Sequence, residues 1–307
     1  MNNQNLIIQF HKLLRSKNFN GEIVSAKHIP EIKNDINKHH QQKQIYPEFY
    51  EEYKSFFEFE PKVDFESVES LIVVAVPVPE FEVIFTFNNK KISLMIPPTY
   101  LYGRNVIDET QTLIESIFTP AGYNIAYAQL PVKTLAVRSG LAKYGRNNIT
   151  YIPEMGSFYR LCAYYSDFPI EKDNWYELEM MEKCETCKAC RQVCPTNAIS
   201  DDRFLLHVER CITYHNEQPN DILFPKWLDP KWHNCLVGCM LCQNICPIDK
   251  DFKNWIEKGP TFTEEETRIL LNSPEIDSLT NELKEKLEKS ELLNYLELFP
   301  RNLQIFL

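Results

Sequence analysis

The first 170 residues alternate between two patterns of hydrophobic positions. Apolar side chains recur every three or four residues in the opening segment and in YPEFYEEYKSFFEFE, NVIDETQTLIESIF and KTLAVRSGLAKYG, which predicts helices, the last closed by Gly145. Stretches of β-branched and aromatic residues predict strands at EIVSAKHI, SLIVVAVPVP, YNIAYAQL, ITYIP and FYRLCAYYSD. A hairpin is predicted where FEVIFTFNNKKISLMIPP alternates on either side of Asn88 and Asn89. This mixture of elements is typical of an α/β or α+β domain.

The pattern changes after Asp173. Short helices interrupted by cysteine and proline continue to about Lys250, and the segments TEEETRILL and SLTNELKEKLEKSELLNYLELF then have helical periodicity. We therefore predict an α+β chain in three parts: an α/β domain over residues 1–170, a ferredoxin-like domain over 171–255 and a helical C-terminal segment over 256–307.

The composition of 44% hydrophobic and 25% charged residues is typical of a globular protein. The 43 acidic against 33 basic residues give a net charge of -10, which argues against broad, nonspecific binding to nucleic acid. The opening segment has amphipathic-helix spacing rather than the apolar block of a signal peptide, and the longest apolar stretch, LIVVAVPVP, is too short to span a bilayer. We expect a cytoplasmic protein without a membrane segment.

The cysteines carry the strongest chemical signal. Nine of the ten lie between Cys184 and Cys246, and clustered cysteines in a reducing compartment are more often metal ligands than disulfides. The segment CETCKACRQVCP has the spacing of a bacterial ferredoxin motif for a 4Fe-4S cluster, and CMLCQNICP, from Cys239, is a second, shorter copy. A zinc site is the alternative, but zinc sites prefer paired motifs without the terminal Cys-Pro. The spacing thus predicts two 4Fe-4S clusters.

In ferredoxins of this type, the last cysteine of each motif binds the other cluster. One cluster would then take the first three cysteines of the first motif and the last of the second: Cys184, Cys187, Cys190 and Cys246. The other would take Cys194, Cys239, Cys242 and one remote cysteine, for which we favour Cys211 over Cys235. The isolated Cys162, in an aromatic strand, is predicted to be a core thiol.

About 170 residues precede the clusters. A second cofactor, bound there and reduced by electrons from the clusters, would explain this domain. No GxGxxG, Walker or HExxH motif is present. The segments ESLIVVAVPVP, YGRNVID, PVKTLAVRSGLAKYGRNNITYIPEMGSFYRL, ERCITYH and GCMLCQNICPIDK occur, with the cluster motifs, in the order found in the epoxyqueuosine reductase family. The chain resembles that family over about residues 65–250.

The resemblance implies a cobalamin-binding domain of nitroreductase-like fold followed by a double 4Fe-4S domain, in enzymes that are related to the reductive dehalogenases. It implies that the clusters reduce cobalamin to a strongly nucleophilic Co(I) state, that a nearby acid protonates the substrate, and that Cys211 rather than Cys235 is the remote ligand. A low-potential donor such as ferredoxin or flavodoxin would supply the electrons.

The resemblance also indicates site residues. For cobalamin these are Arg104, Gly140, Gly145, Arg146, Asn147, Thr213 and Tyr214. A helix end at Gly145 followed by solvated polar side chains is the alternative for that segment. Where the family has an acid in a GRD segment, this chain has Asn105, whose neutral amide is not an equivalent proton donor, so Asp108, Tyr102 or a water is expected to replace it.

The sequence therefore predicts a corrinoid and iron-sulfur reductase that cleaves a C–O or similarly electrophilic bond. Epoxyqueuosine in tRNA is a possible but not a favoured substrate, because the chain stops just after FPRNLQIFL, where longer relatives continue into helical repeats that help to hold tRNA. The alternatives are a two-cluster electron-transfer protein and a corrinoid-handling or reactivation protein without a substrate of its own.

Overall fold

The computed structural model describes residues 3–307. The chain divides into two compact units, each built from separated stretches. The first unit comprises residues up to Pro77, Arg104–Lys188 and Asp201–Leu206, and the second comprises Val78–Gly103, Ala189–Ser200 and His207–Leu307. The three contiguous domains predicted from the sequence therefore do not coincide with the compact units.

The described residues form twelve α-helices and nine strands, joined by turns and short 3-10 segments. The helices are α1 (Asn3–Ser16), α2 (Ile29–Gln41), α3 (Pro47–Lys54), α4 (Gly103–Phe118), α5 (Val132–Arg138), α6 (Lys183–Thr186), α7 (Ala189–Val193), α8 (Ile212–Asn216), α9 (Leu241–Asn244), α10 (Glu264–Leu271), α11 (Asn281–Lys289) and α12 (Phe299–Gln304). The strands are β1 (Asn20–Ser25), β2 (Ser70–Pro77), β3 (Glu80–Phe87), β4 (Lys90–Ile96), β5 (Ile125–Tyr127), β6 (Lys143–Tyr144), β7 (Thr150–Tyr151), β8 (Tyr159–Ser166) and β9 (Ile256–Phe262).

The first unit is organised around an antiparallel sheet in the order β1-β2-β8-β5. Alternate residues of β2 point to opposite faces, and both faces are apolar. Leu71 and Val73 pack in a core that includes residues of α2 and α5, whereas Ile72 and Val74 pack with residues of α1 and α4. Burial on both faces explains why SLIVVAVPVP is a continuous hydrophobic run rather than an alternating one.

Helix α5 is shorter than the sequence predicts. It ends at Arg138 instead of continuing to Gly145, because Gly140 adopts a left-handed conformation with φ of 82° that terminates the helix. The following residues Lys143 and Tyr144 form β6, which pairs with β7. The segment GLAKYG, predicted to be helical, is therefore a turn followed by a strand.

The second unit contains the predicted hairpin of β3 and β4, which turns at Asn88 and Asn89. Strand β9 pairs in parallel with β3, whereas residues 256–307 were predicted to be a helical segment. The segment IEKGPTF has no strand periodicity and contains Gly and Pro, so its pairing depends on the adjacent sheet edge.

The C-terminal helices cover this three-stranded sheet. Phe262 stacks on Phe85 with ring centroids 4.9 Å apart, and Leu270 and Leu283 are fully buried in the same core. The helix predicted over SLTNELKEKLEKSELLNYLELF is interrupted at Glu291, whose φ of 59° separates α11 from a 3-10 segment. No helix within residues 3–307 is long and apolar enough to cross a bilayer.

Glu80, at the start of β3, makes stability depend on pH. Its side chain is buried, and burial together with the charge of Asp249 raises its pKa from 4.5 to about 7. The folded protein then holds a proton that the unfolded chain releases near pH 4.5, so the stability linked to Glu80 is full below pH 4.5 and is lost as the pH rises through 7. We expect Glu80→Gln to raise the free energy of unfolding by about 1–3 kcal/mol at pH 8 and to change it little at pH 4.5. Urea unfolding at both pH values measures this, and an equal effect at the two would contradict it.

Candidate functional site

The two cysteine motifs lie on short helices and the turns between them. Cys184 lies in α6, Cys190 in α7 and Cys242 in α9. Helices of four or five residues are not stable alone, so they depend on tertiary contacts and on whatever the cysteines bind. Each cysteine is free of disulfide bonds. Within residues 3–307, no group of three or more Cys, His, Asp or Glu side chains is arranged to hold a single metal ion.

Within the second unit, Cys194, Cys211 and Cys239 are close enough to influence one another. Burial raises the pKa of the Cys211 thiol to about 11, and the charge of Cys239 adds to this, whereas donors from Thr213 and the N–H of Tyr214 act in the opposite direction. Burial also raises the pKa of Cys239, with a further contribution from Cys194. Hydrogen-bond donors directed at buried sulfur atoms suit thiolates that bind an iron-sulfur cluster.

Cys235 has a different environment. It is 1% exposed, and its Sγ donates to Oδ1 of Asn234 at 3.2 Å, as a protonated thiol does. The same Oδ1 accepts from the N–H of Met240 at 2.9 Å, and Nδ2 of Asn234 donates to Sγ of Cys239 at 3.2 Å. Asn234 therefore orients the second motif, a role that the sequence pattern does not reveal.

Cys162 lies in the core, as predicted. It is 1% exposed on β8, and burial raises its pKa to about 11.

The first unit contains a cavity of about 940 Å³. Its wall is formed by the aromatic segment on and after α3, by α4 at Ile107, and by β5 and β8 at Tyr127 and Arg160. The aromatic residues among those that line it are Phe49, Tyr50, Tyr53, Phe56, Phe57, Phe59, Tyr127 and Tyr144, and the basic residues are Lys33, Lys54, Lys62, Lys133 and Arg160. A large concave site with aromatic walls and a few cationic groups is typical of a cofactor or ligand pocket.

The hydrophobic pattern of the sequence does not predict this cavity. The density of Phe and Tyr in YPEFYEEYKSFFEFE was the available signal, but the spacing of these residues predicted a helix. Within this segment Pro47–Lys54 is helical, and the residues that follow lie in turns and irregular structure, which leaves Phe56 57% exposed.

The residues of the GRNN segment hold a turn together. Gly145 donates its N–H to the carbonyl of Ile149 at 2.7 Å. Asn147 is 2% exposed, and its Nδ2 donates to the Tyr151 hydroxyl at 3.0 Å. The guanidinium of Arg146 donates to Asp201 and to carbonyl groups of the first cysteine motif. None of the three predicted cobalamin contacts in this segment is among the residues that line the cavity.

The other predicted cofactor contacts are dispersed. Arg104, at the start of α4, is exposed, and its charge acts on Tyr127 in the cavity wall. Burial raises the pKa of Tyr127, while Arg160 and Arg104 lower it. Gly140 ends α5, and Thr213 and Tyr214 direct donors at Cys211. Arg104 is therefore the predicted cofactor contact whose charge acts on a residue of the cavity wall.

Two of the predicted catalytic residues, Asn105 and Asp108, lie in the first turns of α4, and the third, Tyr102, directly precedes this helix. Asn105 and Asp108 are exposed, and Asp108 is adjacent in sequence to Ile107 in the cavity wall. Tyr102 is half-buried in the second unit, where its ring packs on Phe81 at 5.1 Å. Burial raises the pKa of Tyr102, and the charge of Glu257 adds to it.

Comparison with known proteins agrees with the cysteine motifs. Residues 183–249 match the family described as the 4Fe-4S double cluster binding domain. This range contains both motifs, Cys211 and Cys235.

A longer part of the chain matches curated enzymes. The epoxyqueuosine reductase of Leadbetterella byssophila is 30% identical over 157 residues, which are 48% of this chain and 50% of that protein. Over this stretch the chain is similar to an epoxyqueuosine reductase. The match spans only half the length of this relative.

Solved epoxyqueuosine reductases share the fold. A selenomethionine-labelled epoxyqueuosine reductase superposes with a TM-score of 0.70 at 18% identity, over 99% of this chain and 81% of that chain. An epoxyqueuosine reductase with a tRNA-Tyr epoxyqueuosine-modified tRNA stem loop gives a TM-score of 0.69 at 19% identity, over 99% of this chain and 81% of that chain. The predicted α+β fold with a double-cluster domain and a helical C-terminus is confirmed.

Proposed function

We propose that this protein is a cobalamin-dependent iron-sulfur reductase that cleaves a C–O or similarly electrophilic bond. One observation carries the proposal: a double-cluster domain and a cavity of about 940 Å³ occur together in a chain with the epoxyqueuosine reductase fold. The clusters would accept electrons one at a time from a low-potential donor such as ferredoxin or flavodoxin. The free, clustered cysteines suit the reducing conditions of the cytoplasm.

The residues present fit a corrinoid. The cavity lies near the upper end of the range of ligand pockets, roughly 300–1,000 Å³, as a large planar cofactor requires. Rings such as Phe57 and Tyr127 would pack on its apolar faces, and Lys133, Arg160 and Arg104 would bind its amides or phosphate. When bound, cobalamin would supply a strongly reducing, nucleophilic cobalt centre.

The two clusters would have separate ligand sets. For one we propose Cys184, Cys187, Cys190 and Cys246. For the other we propose Cys194, Cys211, Cys239 and Cys242. The donors around Cys211, and the thiol-like hydrogen bond from Cys235 to Asn234, support Cys211 as the remote ligand.

For the proton donor we propose Asp108. The Asn105 amide is not an acid near neutral pH, and the raised pKa of Tyr102 makes that phenol a weaker acid. Asp108 is exposed, and it directly follows Ile107 of the cavity wall in the sequence. We expect Asp108→Asn to lower turnover by about 100-fold while cobalamin and iron contents stay unchanged, and Tyr102→Phe to have a much smaller effect. Stopped-flow reoxidation of the reduced protein by substrate measures both, and full activity of Asp108→Asn would exclude this role.

The substrate to test first is an epoxyqueuosine-modified tRNA stem loop, because a solved protein of the same fold is described with one. Small epoxides and other electrophiles form the second set, since the net charge of -10 does not favour extended contacts with a polyanion.

The decisive experiment is an anaerobic titration of the reconstituted protein with hydroxocobalamin, followed by UV-visible and EPR spectroscopy. We expect a base-off Co(II) signal and two reducible 4Fe-4S clusters. Clusters without cobalamin binding would refute the proposal and leave an electron-transfer protein. Bound cobalamin that no substrate reoxidises would indicate a corrinoid-handling protein.

A further inference from the structure

The turn between β6 and β7 is fixed from within. Gly145 and Ile149 close it by a backbone hydrogen bond, and the N–H of Asn148 donates to the carbonyl of Gly145 at 3.0 Å. A β-carbon at Gly145 would lie 2.5 Å from the Tyr151 ring, so this position has room only for glycine. The side chain of the intervening residue, Arg146, therefore projects from a rigid base.

The same turn is tied to two other segments of the first unit. Asn148 donates from Nδ2 to the carbonyl of Phe204 at 2.8 Å, and its Oδ1 accepts from the N–H of Leu206. Tyr144 donates its N–H to Glu179 at 3.1 Å and accepts from the N–H of Met181 at 2.8 Å. These bonds align the chain that enters α6 and the chain that follows Asp201 with the base of Arg146.

Arg146 caps the C-terminal end of α6. Its Nε donates to the carbonyl of Cys187 at 3.3 Å, and its Nη2 donates to the carbonyls of Glu185, at 3.4 Å, and Cys184. Its Nη1 donates to Oδ1 of Asp201 at 2.8 Å. The last carbonyls of a helix have no N–H partner inside the helix, so the carbonyls of Cys184 and Glu185, after the one of Lys183 that accepts from the N–H of Cys187, depend on other donors. One guanidinium therefore fixes the backbone of both cysteines in the Cys-x-x-Cys turn.

We propose that Arg146 is a positioning residue for the cluster bound by Cys184 and Cys187, and that its charge stabilises the reduced state of that cluster. The inference rests on the proposed function only for the presence of the clusters. It differs from the cobalamin contact that the family resemblance suggests for Arg146.

The charges around Arg146 predict the direction in which the reduction potential of the cluster changes when these residues are replaced. Asp201 pairs with Arg146 at 2.8 Å and with Lys188 at 3.3 Å, so the three side chains together carry one positive charge. Reduction adds an electron to the cluster, and a nearby positive charge favours that step. Arg146→Gln removes the positive charge and should lower the reduction potential, whereas Asp201→Asn uncovers a second positive charge and should raise it. A purely structural role would not shift the potential in opposite directions.

The test is an anaerobic EPR redox titration of the full chain with reconstituted clusters, with iron and sulfide content measured in parallel. We expect the potential of one of the two clusters to fall in Arg146→Gln, to rise in Asp201→Asn and to be largely restored in Arg146→Lys. Arg203→Gln is the matched control, because Arg203 also donates to backbone carbonyls, at Leu205 and Leu206, but not in the cysteine motif. It should leave both potentials unchanged.

Wild-type potentials in Arg146→Gln, or shifts of the same sign in Arg146→Gln and Asp201→Asn, would overturn the inference. If Arg146→Gln loses the cluster, Arg146→Lys and Asp201→Asn still decide the sign of the effect. Protein with two clusters but no affinity for cobalamin would refute the corrinoid reductase and leave the role of Arg146 open to the same test, so the two failures are distinguishable.

Discussion

Cys211→Ala is expected to remove about half of the iron from the reconstituted protein, because a 4Fe-4S cluster that loses one of four thiolate ligands is not retained. Cys235→Ala is expected to keep the full iron content. The two cysteines lie in the same unit and both are influenced by the charge of Cys239, so proximity to the second motif does not separate them.

Hydrogen bonding separates them. Donors from Thr213 and Tyr214 converge on the Cys211 sulfur and favour a thiolate there. Burial raises the pKa of both thiols, but Cys235 receives a single backbone donor, the N–H of Met240, and its own sulfur donates to Asn234. A metal ligand must lose its proton, and Cys235 is placed to keep it.

Iron and sulfide analysis with EPR of the dithionite-reduced protein measures the difference. Cys162→Ala is a further control, since this thiol lies in the core of the first unit. Equal loss of iron from the Cys211 and Cys235 variants would show that the remote ligand is not resolved by these hydrogen bonds. Loss from Cys235→Ala alone would exchange the two assignments.

Ile107→Trp is expected to weaken cobalamin binding by about 10- to 100-fold while leaving both clusters intact. Ile107 lies in the cavity wall, and its carbonyl accepts a hydrogen bond from the Tyr164 hydroxyl at 2.8 Å, which fixes the backbone at this point. A larger side chain on a fixed backbone must occupy the cavity or strain the wall, at a cost of about 1–3 kcal/mol.

Ile8→Trp is the matched control. Ile8 is 59% exposed on α1 and is not among the residues that line the cavity, so the same change there should leave cobalamin affinity unchanged. The change in the visible spectrum of hydroxocobalamin on binding gives both affinities. If Ile107→Trp binds cobalamin as tightly as the wild type does, the corrinoid does not occupy this cavity.

The sequence alone was sufficient where the signal is local. The β-branched run of β2, the hairpin at Asn88 and Asn89 and the paired cysteine motifs each depend on neighbouring residues and their spacing. The cysteine spacing is an especially strong signal for an iron-sulfur cluster, because a turn with two residues between cysteines directs their sulfur atoms at one cluster. The α+β fold with its double-cluster domain followed from these patterns and from the order of the motifs.

Only the tertiary structure decided the rest. Strand β9 forms because β3 offers it a free edge, although IEKGPTF has no strand pattern of its own. The cavity requires the aromatic segment, α4 and β8 to meet, and lining residues of the first and the last, such as Phe49 and Leu161, are more than a hundred positions apart. Arg146 looked like a cofactor contact in sequence, but its side chain reaches residues about 40 and 55 positions away. Long-range contacts of this kind depend on which distant segments the fold brings together. The periodicity of a single segment does not contain that information.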